Sequence, residues 1–119
     1  MTSLDYPVFI GVSSRQQLDF LAHALGLSET ELGTLFGVTR QAVSAWRERG
    51  VPARRTASVD RIVEFTQFLQ RRLVPGRIPQ IIRTKAKGLD RHSMLEVLRE
   101  SGPDRLYEYM TRLAAYANT

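Results

Sequence analysis

The sequence of 119 residues has no cysteine, one tryptophan and only two histidines, and each scarcity removes a class of protein. Without thiols there is neither a disulfide scaffold nor a thiolate metal site, and the composition suits a reducing compartment. His23 sits among apolar neighbours and His92 beside Asp90 and Arg91, so neither has the company of a metal site. Paired carboxylates, a nucleophile next to a base and a Gly-rich phosphate loop are also missing from the pattern, so catalysis, a metal and a cofactor are not expected. No apolar run approaches the roughly 20 residues of a membrane span. The opening stretch contains Asp5 and no basic n-region, which argues against a secretory signal. The expectation is a cytoplasmic protein with no membrane partner.

What is present is positive charge, unevenly placed. The net charge is +5, made up of −3 over residues 1–38, +9 over residues 39–91 and −1 over residues 92–119. The basic block includes Arg47, Arg49, Arg54, Arg55, Arg71, Arg72, Arg77, Arg83, Lys85, Lys87 and Arg91. A cationic surface of this kind attracts a phosphate backbone and makes affinity fall with salt. The later arginines equally suit a solvated helix or pairing with acids on a protein partner.

The block begins inside the most informative segment, residues 28–49. Ser28 with Glu31 three residues on is a capping box, and the helix it opens places Leu32, Leu35 and Phe36 on one face. Gly37 can enter the left-handed conformation that a tight turn needs, and the small Gly33 suits close helix packing. Val38 plugs the turn, Thr39 is an N-cap, and Val43 and Trp46 bury one side of a second helix. Thr39, Arg40, Gln41, Ser44 and Arg47 are left on its start and outer side. This is a helix-turn-helix pattern, whose second helix meets base edges and phosphates in the major groove of double-stranded DNA.

The remaining chain reads as all-α after a short arm. Residues 1–12 form an apolar, β-prone arm broken by Pro7 and Gly11. Ser13 or Ser14 caps a first helix with Leu18, Leu21, Ala22 and Leu25 as its stripe, ending near Gly26. After Gly50-Val51-Pro52, a long helix from about Thr56 to Leu73 carries Val59, Ile62, Val63, Phe65, Thr66, Phe68, Leu69 and Leu73. That apolar surface is too wide for one neighbour, so it implies two: the helix-turn-helix lobe, and either the C-terminal part or a second subunit. Residues 74–79 break the helix and divide a DNA-binding region, 13–74, from a small helical region, 75–119. In the second region Ile78, Ile81 and Ile82 suggest a short helix or extended piece. A helix near Arg91 to Glu100 comes next, then a last one opened by Pro103 and carrying Leu106, Tyr109, Met110, Leu113 and Ala117.

These residues resemble known proteins. Gly37-Val38, Thr39 to Ser44 and Trp46 are similar to the core of Cro/repressor helix-turn-helix domains. Arg77 to Thr84, Leu89 and Ser93 to Leu98 resemble the C-terminal domain of the Xre/MbcA/ParS antitoxin family. The chain departs from that pattern at Asp90-Arg91, where the family usually has a Gly-Gly pair, and at Met94, where it has a proline. Ile81 and Ile82 stand where an aromatic residue often follows the family's proline. A turn built on residues with a Cβ does not take up a glycine backbone freely.

The resemblance implies an antitoxin of a type II toxin–antitoxin system that represses its own operon and covers the active site of a RES-domain toxin, a class that attacks NAD. The alternative is a stand-alone transcriptional regulator whose C-terminal lobe dimerises or senses a ligand. Either way a homodimer is expected, with two recognition helices in successive major grooves of an operator. Arg40 and Gln41 would read bases, Thr39 and Ser44 would make shorter polar contacts, and Arg47, Arg54 and Arg55 would hold phosphates. The expected partner-facing residues are Arg83, Lys85, Tyr107, Tyr109 and Tyr116. The tyrosines suit either an interface or a core position with a wet hydroxyl.

Overall fold

The computed structural model describes residues 13–117, with side chains as far as residue 113 of the last helix. The N-terminal arm and the side chain of Tyr116 lie outside the described residues. The architecture is all-α: α1 (Ser14–Leu25), α2 (Glu29–Leu35), α3 (Arg40–Arg49), α4 (Ala53–Arg72), α5 (Ile78–Ile81), α6 (Met94–Ser101) and α7 (Asp104–Ala117). Two single 3₁₀ turns, Pro75–Arg77 and Lys87–Leu89, flank α5 and precede α6.

Local chemistry accounts for most of the boundaries. Ser13, Ser28 and Ser93 each open a helix with a capping box whose N3 partner is Gln16, Glu31 or Glu96. Thr39 caps α3 by accepting from the Ala42 amide at 3.1 Å. Helix α4 begins three residues before the Thr56 expected from capping preference. Pro52, already at φ −56°, stands at its N-cap, and its carbonyl accepts from the Arg55 amide at 2.8 Å, so a pre-set backbone starts the helix without a side-chain cap.

The long helix has the two neighbours its apolar width calls for. On one side α1 lies along it, with Gln17 donating to Asp60 at 2.9 Å. On the other lies α7, from the C-terminal part of the chain. The Tyr107 ring packs edge-on against Phe65 and Phe68 at centroid distances of 5.2 and 4.8 Å, and Arg61 pairs with Asp104 at 3.0 Å. Aromatic pairs of this kind add about 0.5–1.5 kcal/mol each beyond the area they bury. The buried Thr66 hydroxyl donates to the Ile62 carbonyl at 2.8 Å and so carries no desolvation cost.

The core is continuous across the break at residues 74–79. Ile78, Ile82, Leu89, Val97, Leu98 and Leu106 belong to the same cluster as Leu18, Leu32, Val43 and Phe65. Helix α5 sits on α1 and α6 sits on α2, so the C-terminal segment wraps the helix-turn-helix and shares its interior. Ile78 and Ile82 are fully buried, which resolves their segment as one helical turn.

The Asp90-Arg91 turn is the main surprise in the backbone. Both residues are left-handed, at φ 55° and 67°, so the chain adopts there the conformation that glycine makes easy. Surrounding bonds hold it: the Ala86 amide donates to the His92 carbonyl at 3.1 Å, and the Arg91 amide to the Ala86 carbonyl at 2.9 Å. Arg105 pairs with the Asp90 carboxylate at 2.8 Å.

Candidate nucleic-acid interface

The candidate interface is built on the joint between α2 and α3. Gly37, at φ 70°, turns the chain, and Gly33 lets α2 lie directly on the turn: a Cβ there would stand 2.7 Å from the Val38 carbonyl oxygen. Val43 and Trp46 are buried, and Phe36 packs on Trp46 with ring centroids 6.0 Å apart. With that face fixed, Thr39, Arg40, Gln41 and Ser44 are all exposed at the N-terminal end and outer side of α3. The Thr39 hydroxyl accepts within its own cap, which leaves its proton available to an outside acceptor.

The three phosphate candidates separate. Arg54 is exposed on the first turn of α4 and has no ion pair among the described residues. Arg55 is half-buried; its guanidinium donates to the Phe36 carbonyl at 2.7 Å and lies 6.0 Å over the Trp46 ring, so it braces the turn from behind. Arg47 departs furthest from the expectation. Its side chain is only 14% exposed, its Nε and Nη2 reach the two Glu29 carboxylate oxygens at 3.0 and 2.7 Å, and its Nη1 pairs with Asp19. Burial lowers its pKa, with nearby Arg15 adding to the effect. Arg47 therefore ties α3 to α1 and α2 instead of presenting its charge outward.

The expected partner-facing residues are redistributed in the same way. Arg83 donates to the Leu25 and Gly26 carbonyls at 3.2 and 2.7 Å and to both Glu31 oxygens at 3.1 Å. It thus satisfies the open carbonyl end of α1 and touches the capping box of α2. Lys85 pairs with Glu96 at 3.1 Å. Tyr107 is half-buried against α4, and burial raises its phenol pKa, with Glu64 adding to the rise. Tyr109 edges an apolar concavity of about 190 Å³ that Ile81, Leu89, Met94 and Leu113 also line. Leu113, 43% exposed, is one of two large apolar side chains left open among the described residues, the other being Val74.

Sequence reasoning missed Asp19, Glu29 and Glu31 as partners of the basic block. Their signal was the acidic balance of residues 1–38, which the fold sets against Arg47 and Arg83. Among the described residues no group of three or more His, Asp or Glu side chains could hold a metal, and no helix is long and apolar enough to cross a membrane.

No family model and no curated protein matches this chain. A chain in the crystal structure of the M. tuberculosis MbcT–MbcA toxin–antitoxin complex does match in three dimensions, with a TM-score of 0.68 and 14% sequence identity over 85% of this chain and 93% of that one. The all-helical fold implied by the resemblance to Xre/MbcA/ParS antitoxins is the fold observed, and it is shared with a chain of a solved toxin–antitoxin complex.

Proposed function

We propose that this protein is the antitoxin of a type II toxin–antitoxin system, binding operator DNA to repress its own operon and neutralising a RES-domain toxin by covering its active site. The observation that carries the reading is the fold shared, over nearly the full length of both chains, with a member of a toxin–antitoxin complex. DNA binding is supported by the exposed Thr39, Arg40, Gln41 and Ser44 on a braced recognition helix, with Arg54 beside them. Arg40 and Gln41 read base edges, Thr39 and Ser44 make shorter polar contacts, and Arg54 holds phosphate. Two copies present two such helices about 34 Å apart to an inverted repeat. The toxin-facing surface is the apolar concavity beside Tyr109 and Leu113, with Lys85 between its lining residues Thr84 and Ala86, since Arg83 and Tyr107 are engaged within the chain.

The test is to express each open reading frame adjacent to this gene in a bacterial host, alone and together with this chain, and follow growth. Arrest relieved by co-expression is the expected result. No toxicity from either neighbour would overturn the antitoxin reading and leave a DNA-binding regulator.

A further inference from the structure

A cleft of about 320 Å³ opens between the Gly37 turn, the first half of α4 and the α6–α7 turn. Its floor is apolar, from Leu35, Ile62 and Leu98, but its walls carry Ser58, Ser101, Arg61 and Arg99. We propose that this cleft is a phosphate-contact surface for duplex DNA, with Arg61 and Arg99 as its cations, so that the C-terminal segment takes part in DNA binding. The inference rests on the DNA-binding reading above and extends it to residues outside the helix-turn-helix.

Position is the first argument. Gly37 lines the cleft and lies two residues before Thr39, the cap of α3, so the wall of the cleft adjoins the start of that helix. A Cβ built on Gly37 would meet nothing within 4 Å, which marks that wall as open. The second argument is chemistry. Two hydroxyls and two guanidinium groups are the donors that phosphate oxygens accept from, and the guanidinium fork suits them in bidentate fashion.

The third argument is lability. Arg61 and Arg99 are 51% and 43% exposed, and their present partners, Asp104 at 3.0 Å and Glu100 at 3.7 Å, are 83% and 58% exposed. Exposed ion pairs contribute about 0–1 kcal/mol, so either arginine can exchange a carboxylate for a phosphate at little cost. Arg61 also lies beside Gly102 of the α6–α7 turn, where a Cβ would stand 3.7 Å from Nη2, so its guanidinium reaches both walls of the cleft. A free nucleotide fits less well. The cleft's one aromatic lining residue, Phe36, is buried, with its ring tilted against Trp46, and so offers a base little to stack on.

The experiment is equilibrium binding of the full chain across a salt series, using two labelled duplexes: the DNA upstream of its own gene and a random sequence of equal length. The parent is compared with Arg61→Ala, Arg99→Ala and Arg99→Lys, and thermal melting confirms that each is folded. Each alanine variant should lower the slope of log K against log salt by about 0.9 for every copy bound and weaken both duplexes by the same factor, with Arg99→Lys retaining the parent slope. Ser101→Asp, which places a negative charge in the cleft without removing an arginine, should weaken both duplexes in the same way, and so serves if an alanine variant fails to fold. If the parent binds and every variant keeps its slope and affinity, the cleft proposal is overturned while the DNA-binding reading stands. A parent that binds neither duplex overturns both.

Discussion

Two of the turns that take the left-handed backbone in this chain do so with opposite chemistry. The turn between α2 and α3 uses Gly37 at φ 70°, with open space around it. The turn before α6 uses Asp90 and Arg91 at φ 55° and 67°, held by loop hydrogen bonds and the Arg105 ion pair. Left-handed backbone costs an L-residue about 1–2 kcal/mol, so the second turn carries strain that the first avoids. At the first turn a residue without a Cβ makes the backbone easy, whereas at the second the surrounding contacts impose it.

The largest test of that contrast compares two glycines with equal crowding. A Cβ on Gly33 would stand 2.7 Å from the Val38 carbonyl oxygen, and one on Gly88 would stand 2.7 Å from the Tyr109 ring. The first obstacle is backbone of the turn and cannot yield without moving α3. The second is a half-buried side chain at the edge of a concavity and can swing aside. Gly33→Ala should therefore cost about 2 kcal/mol and lower DNA affinity further by misplacing the recognition helix, whereas Gly88→Ala should cost less than about 1 kcal/mol. Urea denaturation of both variants measures the difference; equal losses would mean that the C-terminal turn is as rigid as the first.

The next comparison concerns two cations on one connector. Arg83 reaches two backbone carbonyls at the end of α1 and a carboxylate of α2, while the exposed Lys85 has one half-buried partner within its own region. Arg83→Ala leaves helix-end carbonyls without their donor and should cost about 1–2 kcal/mol. Lys85→Ala should cost less than about 0.5 kcal/mol. If the two losses are alike, the C-terminal segment is not fastened to the helix-turn-helix through Arg83.

The turn residues themselves give changes of opposite sign. Gly37→Ala meets no atoms, so its cost is conformational alone, about 1–2 kcal/mol. Arg91→Gly relieves the same strain, though it loosens the unfolded chain, and should raise stability by about 0.5–1 kcal/mol. A denaturation midpoint for Arg91→Gly at or below that of the parent would show that the Arg91 side chain makes a contribution larger than the strain.

The legible features are local. The Ser28/Glu31 box, the Thr39 cap, the Gly37 turn and the Val43/Trp46 face all lie within a few residues of what they act on, and each appears where the pattern puts it. Helix periodicity sets Arg47 on the polar side of α3, and on that ground alone it looks like a phosphate ligand. Its actual partners lie 18 and 28 residues away in sequence, and only the tertiary fold brings Glu29 and Asp19 to it. Arg83 obeys the same rule, with backbone partners 57 and 58 residues distant. Charge placement therefore identifies a basic block without separating the arginines that face outward from those that neutralise the acidic first third.

The smallest effect is a pH dependence, and it again sets the two regions side by side. Glu31 and Glu96 hold equivalent positions, each accepting from a serine backbone amide at the N-cap and each facing a cation of the connector, Arg83 or Lys85. Those bonds, the backbone one foremost, favour the charged form, so both carboxyls are held below the usual range, Glu96 at about 2 compared with 4.5. A carboxyl with a depressed folded pKa contributes stability that is complete above its unfolded value and disappears as pH falls through the folded one. Stability should therefore decline from about pH 4.5 toward 2, the window that Glu96 spans. Glutamine keeps a neutral acceptor at N3 but does not titrate, so Glu96→Gln should flatten that decline more than Glu31→Gln does, because desolvation opposes ionisation at both carboxyls but outweighs the bond from the facing cation only at Glu31. Urea midpoints across that window decide the matter: a steeper decline in Glu96→Gln than in Glu31→Gln would place the stronger cap on the helix-turn-helix side of the molecule.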